Sequence, residues 1–139
     1  MAIPNWKIHH IIETSGAIVV AEETCTGTRY FESEYSTIRG DTVDELLELI
    51  IDRYLGINCA CFTPNTNRLK DIKRLVTEYN VDGVILYTLS FCQPYEIESI
   101  SFEDELKKEG IKTISITTDY STEDINQLKT RIQAFLEML

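Results

Sequence analysis

Residues 82–95 read DGVILYTLSFCQPY, and the fold is decided by this stretch. The run from Val84 to Leu89 is rich in apolar and β-favouring residues, with Gly83 before it and a polar turn ending in Pro94 after it. An apolar run of this kind, bounded by turn residues, reads as a strand covered on both faces, central in a buried parallel sheet. The segment after it, residues 94–109, has looser helical spacing through Ile97, Ile100 and Leu106. Pro94 suits a first helical turn and Gly110 a C-terminal cap. The local unit is strand, turn, helix.

Outward from this unit the same alternation recurs. Residues 17–22 (AIVVAE), 57–62 (INCACF) and 112–117 (KTISIT) are further strand candidates. Val43, Leu46, Leu47, Ile50, Ile51 and Tyr54 follow helical spacing, with Thr42 and Glu45 placed for a capping box. Leu69, Ile72, Leu75, Val76 and Tyr79 form a second stripe. Ile125, Leu128, Ile132, Phe135 and Leu139 form a third, entered through Ser121 as N-cap. Both of these helices should lie against a sheet. An opening helix over residues 4–14 carries Trp6, Ile8, Ile11 and Ile12 and stops before Gly16. The order is one helix, then strand and helix four times. Strands separated by single helices pair in parallel through crossovers, so the expected fold is α/β, a four-stranded parallel sheet flanked by helices in three layers.

The length of 139 residues is that of one domain, and neither a repeat nor a linker divides it. With 43% hydrophobic and 26% charged residues, 6 Gly and 3 Pro, the chain should fold around a real core. A formal net charge of -10 repels a phosphate backbone and argues against nucleic acid as a partner. No apolar run approaches the ~20 residues of a membrane span, and Met1 to Lys7 leads into His9 and His10 rather than an apolar signal core. No membrane partner and a cytoplasmic location are therefore expected.

Four cysteines are too few for a disulfide scaffold, which leaves free thiols or metal ligands. Ligands of open parallel sheets bind beyond the carboxyl ends of the strands, and the cysteines fall near those ends. Cys25 follows the first expected strand, Cys61 ends the second, and Cys92 follows the third in the FCQPY turn. Cys59 reads as a small buried hydrophobe inside its strand. Cys92 is least easily explained by packing. No C-x-x-C pair is present, so the spacing alone identifies no metal, and no G-x-G-x-x-G or Walker A sequence marks a nucleotide site. In EETCTGTRYF (residues 22–31), Gly27 allows a tight turn among three threonines; Arg29 could hold a phosphate or carboxylate, or could pair with a glutamate. His9 and His10 lack a partner at i+4 and read as surface or packing residues, while Glu22–Glu23 and the acidic run from Glu103 to Glu109 read as solvated faces.

The segments PNWKIHHIIETSG, EETCTGTRYF, INCACFTPN, DGVILYTLSFCQPY and TDYSTEDINQLKTRIQAFLEML, in this order, resemble the C-terminal half of the 2-hydroxyacyl-CoA dehydratase D-component family. That family includes subunits of 2-hydroxyglutaryl-CoA dehydratase, benzoyl-CoA reductase and double-cubane-cluster anaerobic reductases; INCACFTPN leans toward the last branch. The resemblance covers the whole chain and implies a Rossmann-like domain of an iron-sulfur protein, a lyase or reductase. Its low-potential electrons would come from an ATP-hydrolysing iron-sulfur activator. It further implies that Cys92 is a metal ligand for a 4Fe-4S cluster or half of a double-cubane cluster, with Cys25 and Cys61 as further cofactor-binding candidates. Gln93 stands where the family more often has an acidic residue.

Family subunits are two or three times this length, so residues 1–139 are expected to be a single C-terminal-type domain of a larger subunit. An N-terminal domain or partner subunit would supply the other ligands and much of an acyl-CoA site, and the isolated chain would be inactive and hold no cluster alone. A different reading is a non-catalytic α/β module for small-molecule binding or subunit docking, its cysteines structural. Exposed apolar surface could also drive homodimerisation, with the opening helix the first candidate.

Overall fold

The computed structural model describes residues 5–25, 27, 29, 40–62 and 64–139. Their elements are α1 (Lys7–Thr14), α2 (Val43–Leu55), α3 (Thr66–Glu78), β1 (Val84–Leu89), α4 (Gln93–Lys108), β2 (Thr113–Thr118) and α5 (Ile125–Leu136). The run that opened the sequence reading is β1, and it pairs in parallel with β2 in a register from Val84 opposite Thr113 to Leu89 opposite Thr118. α4 connects the two strands. Helix follows β1 because Pro94 lies in the first turn of α4, and the chain leaves α4 through Gly110 at φ 78°, a conformation that favours glycine.

Side chains alternate across this pair and build a core on each face. Ile85 and Tyr87 of β1, with Ile114 and Ile116 of β2, pack with Ile8, Ile11 and Ile12 of α1 and Leu128 and Ile132 of α5. Val84 and Leu86 turn the other way, onto Leu69 and Ile72 of α3 and Phe102 and Leu106 of α4. A strand with period-two side chains buried on both faces is what an apolar run without polar alternation requires. At the start of β1 the backbone passes so close to α5 that a Cβ on Gly83 would stand 2.8 Å from Phe135 Cζ and 2.7 Å from Leu139 Cδ2.

The sheet among the described residues has two strands rather than the four expected. Residues 17–22 form no strand: Ala17 and Val19 pack on the core while Ile18 and Val20 face out, without a ladder. Burial alone accounts for their alternation. Residues 57–62 form turns: Cys59 N donates to Ile57 O at 2.8 Å and Phe62 N to Cys59 O at 2.9 Å. Those local bonds occupy backbone groups that a ladder would need. β2 starts one residue later than expected, and α5 is entered from Asp124 rather than Ser121, whose N–H is held by Asp119 Oδ1 at 2.7 Å. α1 starts at Lys7 rather than at residue 4, and residue 4 lies outside the described residues.

The capping box of α2 is formed, with Glu45 N donating to Thr42 Oγ1 at 3.3 Å and Thr42 N to Glu45 Oε2 at 3.0 Å. Its apolar stripe is not buried: Leu47, Ile50, Ile51 and Tyr54 are all exposed. The opening helix, expected to supply a dimer face, instead commits Ile8, Ile11 and Ile12 to the core and leaves Trp6 outside. Among the described helices, α2 carries an exposed apolar stripe. No helix among the described residues is long and apolar enough to cross a membrane.

Candidate functional site

β1 ends at the turn that carries Cys92. Ser90 N donates to Thr118 O at 2.7 Å, which extends the strand pair by one bond, and Cys92 N then closes back on Leu89 O at 2.9 Å. Between them Phe91 adopts φ 70° with its side chain 96% exposed. A non-glycine residue in this conformation is unfavourable by about 1–3 kcal/mol and is held there by its surroundings. The turn delivers Cys92, half-buried, as the N-cap residue of α4. Beyond it the first-turn amides of Gln93 and Tyr95 have no carbonyl within the helix to bond, so the helix presents its positive end at the thiol.

Tyr95, one turn along α4, brings the second cysteine into the same neighbourhood: its hydroxyl is 3.5 Å from Cys25 Sγ. Burial raises the Tyr95 phenol, so it remains a neutral hydroxyl. Cys59 and Cys61 lie in their turn with sulfurs 3.4 Å apart, Cys59 half-buried and Cys61 exposed. Cys61 is pushed upward first by its contact with Cys59 and, more weakly, by the charges of Cys25 and Cys92. Cys25 is thus tied to the helix that Cys92 caps, and Cys59 and Cys61 form a pair of their own. Among the described residues no three His, Cys, Asp or Glu side chains are arranged to hold a metal ion. Cys59 is not embedded in a strand as expected: it lies in a turn and is half-buried.

Behind the thiols is a buried charged network. Arg68 Nε donates to Glu23 Oε2 at 2.5 Å, and its Nη1 pairs with Glu98. Its guanidinium lies over the Tyr95 ring, 4.1 Å from the centroid. Arg29 Nη1 lies 3.2 Å from Glu23 Oε1 and donates to Asn58 O at 2.6 Å, which ties the Cys25 loop to the Cys59–Cys61 turn. Asn58 in turn is bonded to Asp71 of α3. Burial pushes the Glu23 carboxyl above its usual range against the pull of Arg68 and then Arg29. Of the two uses open to Arg29, the arrangement is the ion pair with a glutamate. Glu23 is not on a solvated face, its side chain being only 11% exposed. His9 also has a partner, Glu22 Oε2 at 2.9 Å, reached across the fold and so invisible to an i+4 search. Thr26 and Thr28 lie outside the described residues.

Arg68, Tyr95 and Glu98 were not singled out in the sequence. The signal for Arg68 was its position: it stands four residues before Ile72 and seven before Leu75, a charge inside the buried stripe of α3. The closing TDYSTED segment has a separate and structural explanation. Lys7 Nζ donates to Thr118 Oγ1 at 2.6 Å, Asp124 Oδ1 at 2.7 Å and Ser121 O at 2.8 Å, while Asn5 Nδ2 reaches Tyr87 Oη at 2.9 Å and Asp119 O at 3.2 Å. These bonds join α1 to the loop between β2 and α5.

The family model described as 2-hydroxyglutaryl-CoA dehydratase, D-component, matches residues 1–139. A protein of Escherichia coli named "Putative dehydratase subunit YjiM" is 42% identical over 134 residues, covering 96% of this chain and 34% of that protein. The (R)-phenyllactyl-CoA dehydratase beta subunit of Clostridium sporogenes is 24% identical over 130 residues, covering 93% of this chain and 33% of its own length. The beta subunit of (R)-2-hydroxyglutaryl-CoA dehydratase from Acidaminococcus fermentans is 33% identical over 78 residues, 56% of this chain and 20% of that protein. The chain spans about a third of the length of the first two relatives.

Proposed function

We propose, because this chain belongs to the 2-hydroxyglutaryl-CoA dehydratase D-component family, that it is an iron-sulfur domain of a larger dehydratase or reductase acting on 2-hydroxyacyl-CoA or related acyl-CoA substrates. The observation that carries this reading is Cys92, offered by a strained turn at the positive end of α4, with Cys25 beside Tyr95 of the same helix. Soft thiolate donors suit iron-sulfur ligation, and the donor set here is thiol.

Cys92 would hold the cluster, a 4Fe-4S cubane or half of a double cubane, with Cys25 and Cys61 as the further candidates. The group would supply one-electron chemistry at low potential. The chain's own residues hold the setting. The amides of Gln93 and Tyr95 offer hydrogen bonds to a charged sulfur, and the Tyr95 hydroxyl orients Cys25. Arg29 and Arg68 place positive charge behind the thiols, and Glu23 fixes both in position. The remaining ligands would come from another domain or a partner subunit. The exposed stripe of α2 is the surface that would meet it. Electrons would come from an ATP-hydrolysing activator, in the cytoplasm, where four free cysteines stay reduced. The isolated chain is then catalytically silent.

Anaerobic iron reconstitution of the full-length protein, read by visible absorption, tests this. Cluster absorption is expected and should be lost in Cys92→Ser, with the fold unchanged by circular dichroism. A full-length protein that takes up no iron with Cys92 intact would sink the reading in favour of a docking module with structural cysteines.

A further inference from the structure

We infer that Cys59 and Cys61 form a dithiol that exchanges with small disulfides, closing to an internal disulfide when the surrounding thiol pool is oxidised. The inference stands on the turn itself and does not depend on a cluster. In a strand, residues two apart are separated by about 6.6 Å along the chain, which would hold the two sulfurs apart. Here the bonds from Cys59 N to Ile57 O and from Phe62 N to Cys59 O fold the segment back, and the sulfurs stand 3.4 Å apart. The turn is anchored rather than loose. Ala60, between the cysteines, is 7% exposed, and Asn65 Nδ2 donates to Cys59 O at 3.0 Å. A small movement of side chains brings the sulfurs to bonding distance.

The two thiols differ in access, which assigns their roles. Cys61 is exposed and can be reached by a dissolved disulfide, whereas Cys59 is half-buried beside it. Cys61 as thiolate attacks one sulfur of the small disulfide RSSR, forming a mixed disulfide and releasing RS⁻, which takes up a proton. Cys59 as thiolate then attacks the Cys61 sulfur, releasing the second RS⁻. Two protein thiols are oxidised to one disulfide and RSSR is reduced to two RSH, so electrons and protons balance. A ring closed over a single intervening residue is small and strained, and strained disulfides are the readily reduced, labile ones. The closed form is therefore reversible by reduced thiol. While closed, it withdraws both sulfurs from any metal.

The experiment uses the reduced chain and oxidised glutathione under native conditions. Free thiols should fall from four to two. Trypsin, cutting after Arg53 and Arg68, releases both cysteines in one peptide of residues 54–68, which should be lighter by two hydrogens. Cys59→Ser should instead retain glutathione on Cys61, for want of a resolving thiol. Four unchanged thiols, a lasting glutathione adduct on the native chain, or a bond from either cysteine to Cys25 or Cys92 would each overturn the assignment. Peptide mapping of the unsubstituted chain decides this even if the variant folds poorly.

Discussion

The guanidinium carbon of Arg68 stands 4.1 Å from the ring centroid of Tyr95, and the hydroxyl of that tyrosine stands 3.5 Å from the Cys25 sulfur. One side chain from α3 therefore sets the position of a tyrosine on α4, which in turn sets a cysteine on the loop after α1. Glu23 and Glu98 hold the guanidinium from two directions.

Arg68→Met should destabilise the fold by about 3–5 kcal/mol, because two poorly hydrated carboxylates lose their shared cation. Adding Glu23→Gln should recover part of that loss, since one of the stranded charges disappears. Urea unfolding of the single and double variants measures both. Equal midpoints for Arg68→Met and the unsubstituted chain would show that the network contributes nothing to stability.

Gly83→Ala should cost about 1–3 kcal/mol by overpacking. The new methyl would meet Phe135 at 2.8 Å, and Phe135 is a core residue, 2% exposed. The same urea titration reads the loss, and adding Phe135→Leu should reduce it.

Stability should fall at acid pH partly through Asp124. Burial opposes its ionisation, but hydrogen bonds from Lys7 and Thr118 outweigh burial and hold its carboxyl below the usual range. Its stabilising contribution is present above the unfolded value of about 3.9 and is lost as pH falls through the lower folded value. Asp124→Asn should be less stable at neutral pH and should lack this component of the acid loss. Thermal melts of both proteins from pH 7 to pH 2 would reveal it; parallel curves would remove Asp124 from the account.

Leu47→Lys and Ile51→Lys, at 51% and 53% exposure on α2, should each change the stability of the chain by no more than about 0.5 kcal/mol. In the full-length protein they should weaken assembly, as sedimentation would show. A large loss of stability in the isolated chain would mean that the stripe already belongs to its core.

Most of the helical scaffold was readable from spacing because each buried stripe satisfies its own local rule, and the Thr42–Glu45 cap is wholly local. β1 was equally plain, being apolar on both faces. Residues 17–22 and 57–62 misled for different physical reasons. The first run has strand-like burial without strand partners, and the second spends its backbone bonds on turns. Pairing is a property of two segments, and composition describes only one. At the site, Cys92 stood out because a cysteine beyond a central strand has little packing to do. Arg68 was overlooked because its partners, Glu23 and Glu98, lie 45 and 30 residues away.

Phe91 gives the edge of the sheet a further property. A phenyl ring held almost wholly in water, on a backbone locked at φ 70°, is a poor arrangement for a chain standing alone. Covering that ring would gain about 1.5–3 kcal/mol from apolar surface removed from water. The gain would come at the residue adjoining Cys92, so a surface that settles on the ring also roofs the thiol. The loop that displays the sulfur would thus carry its own adhesive, and for any partner surface that docks there, attachment and the exclusion of water would become a single event.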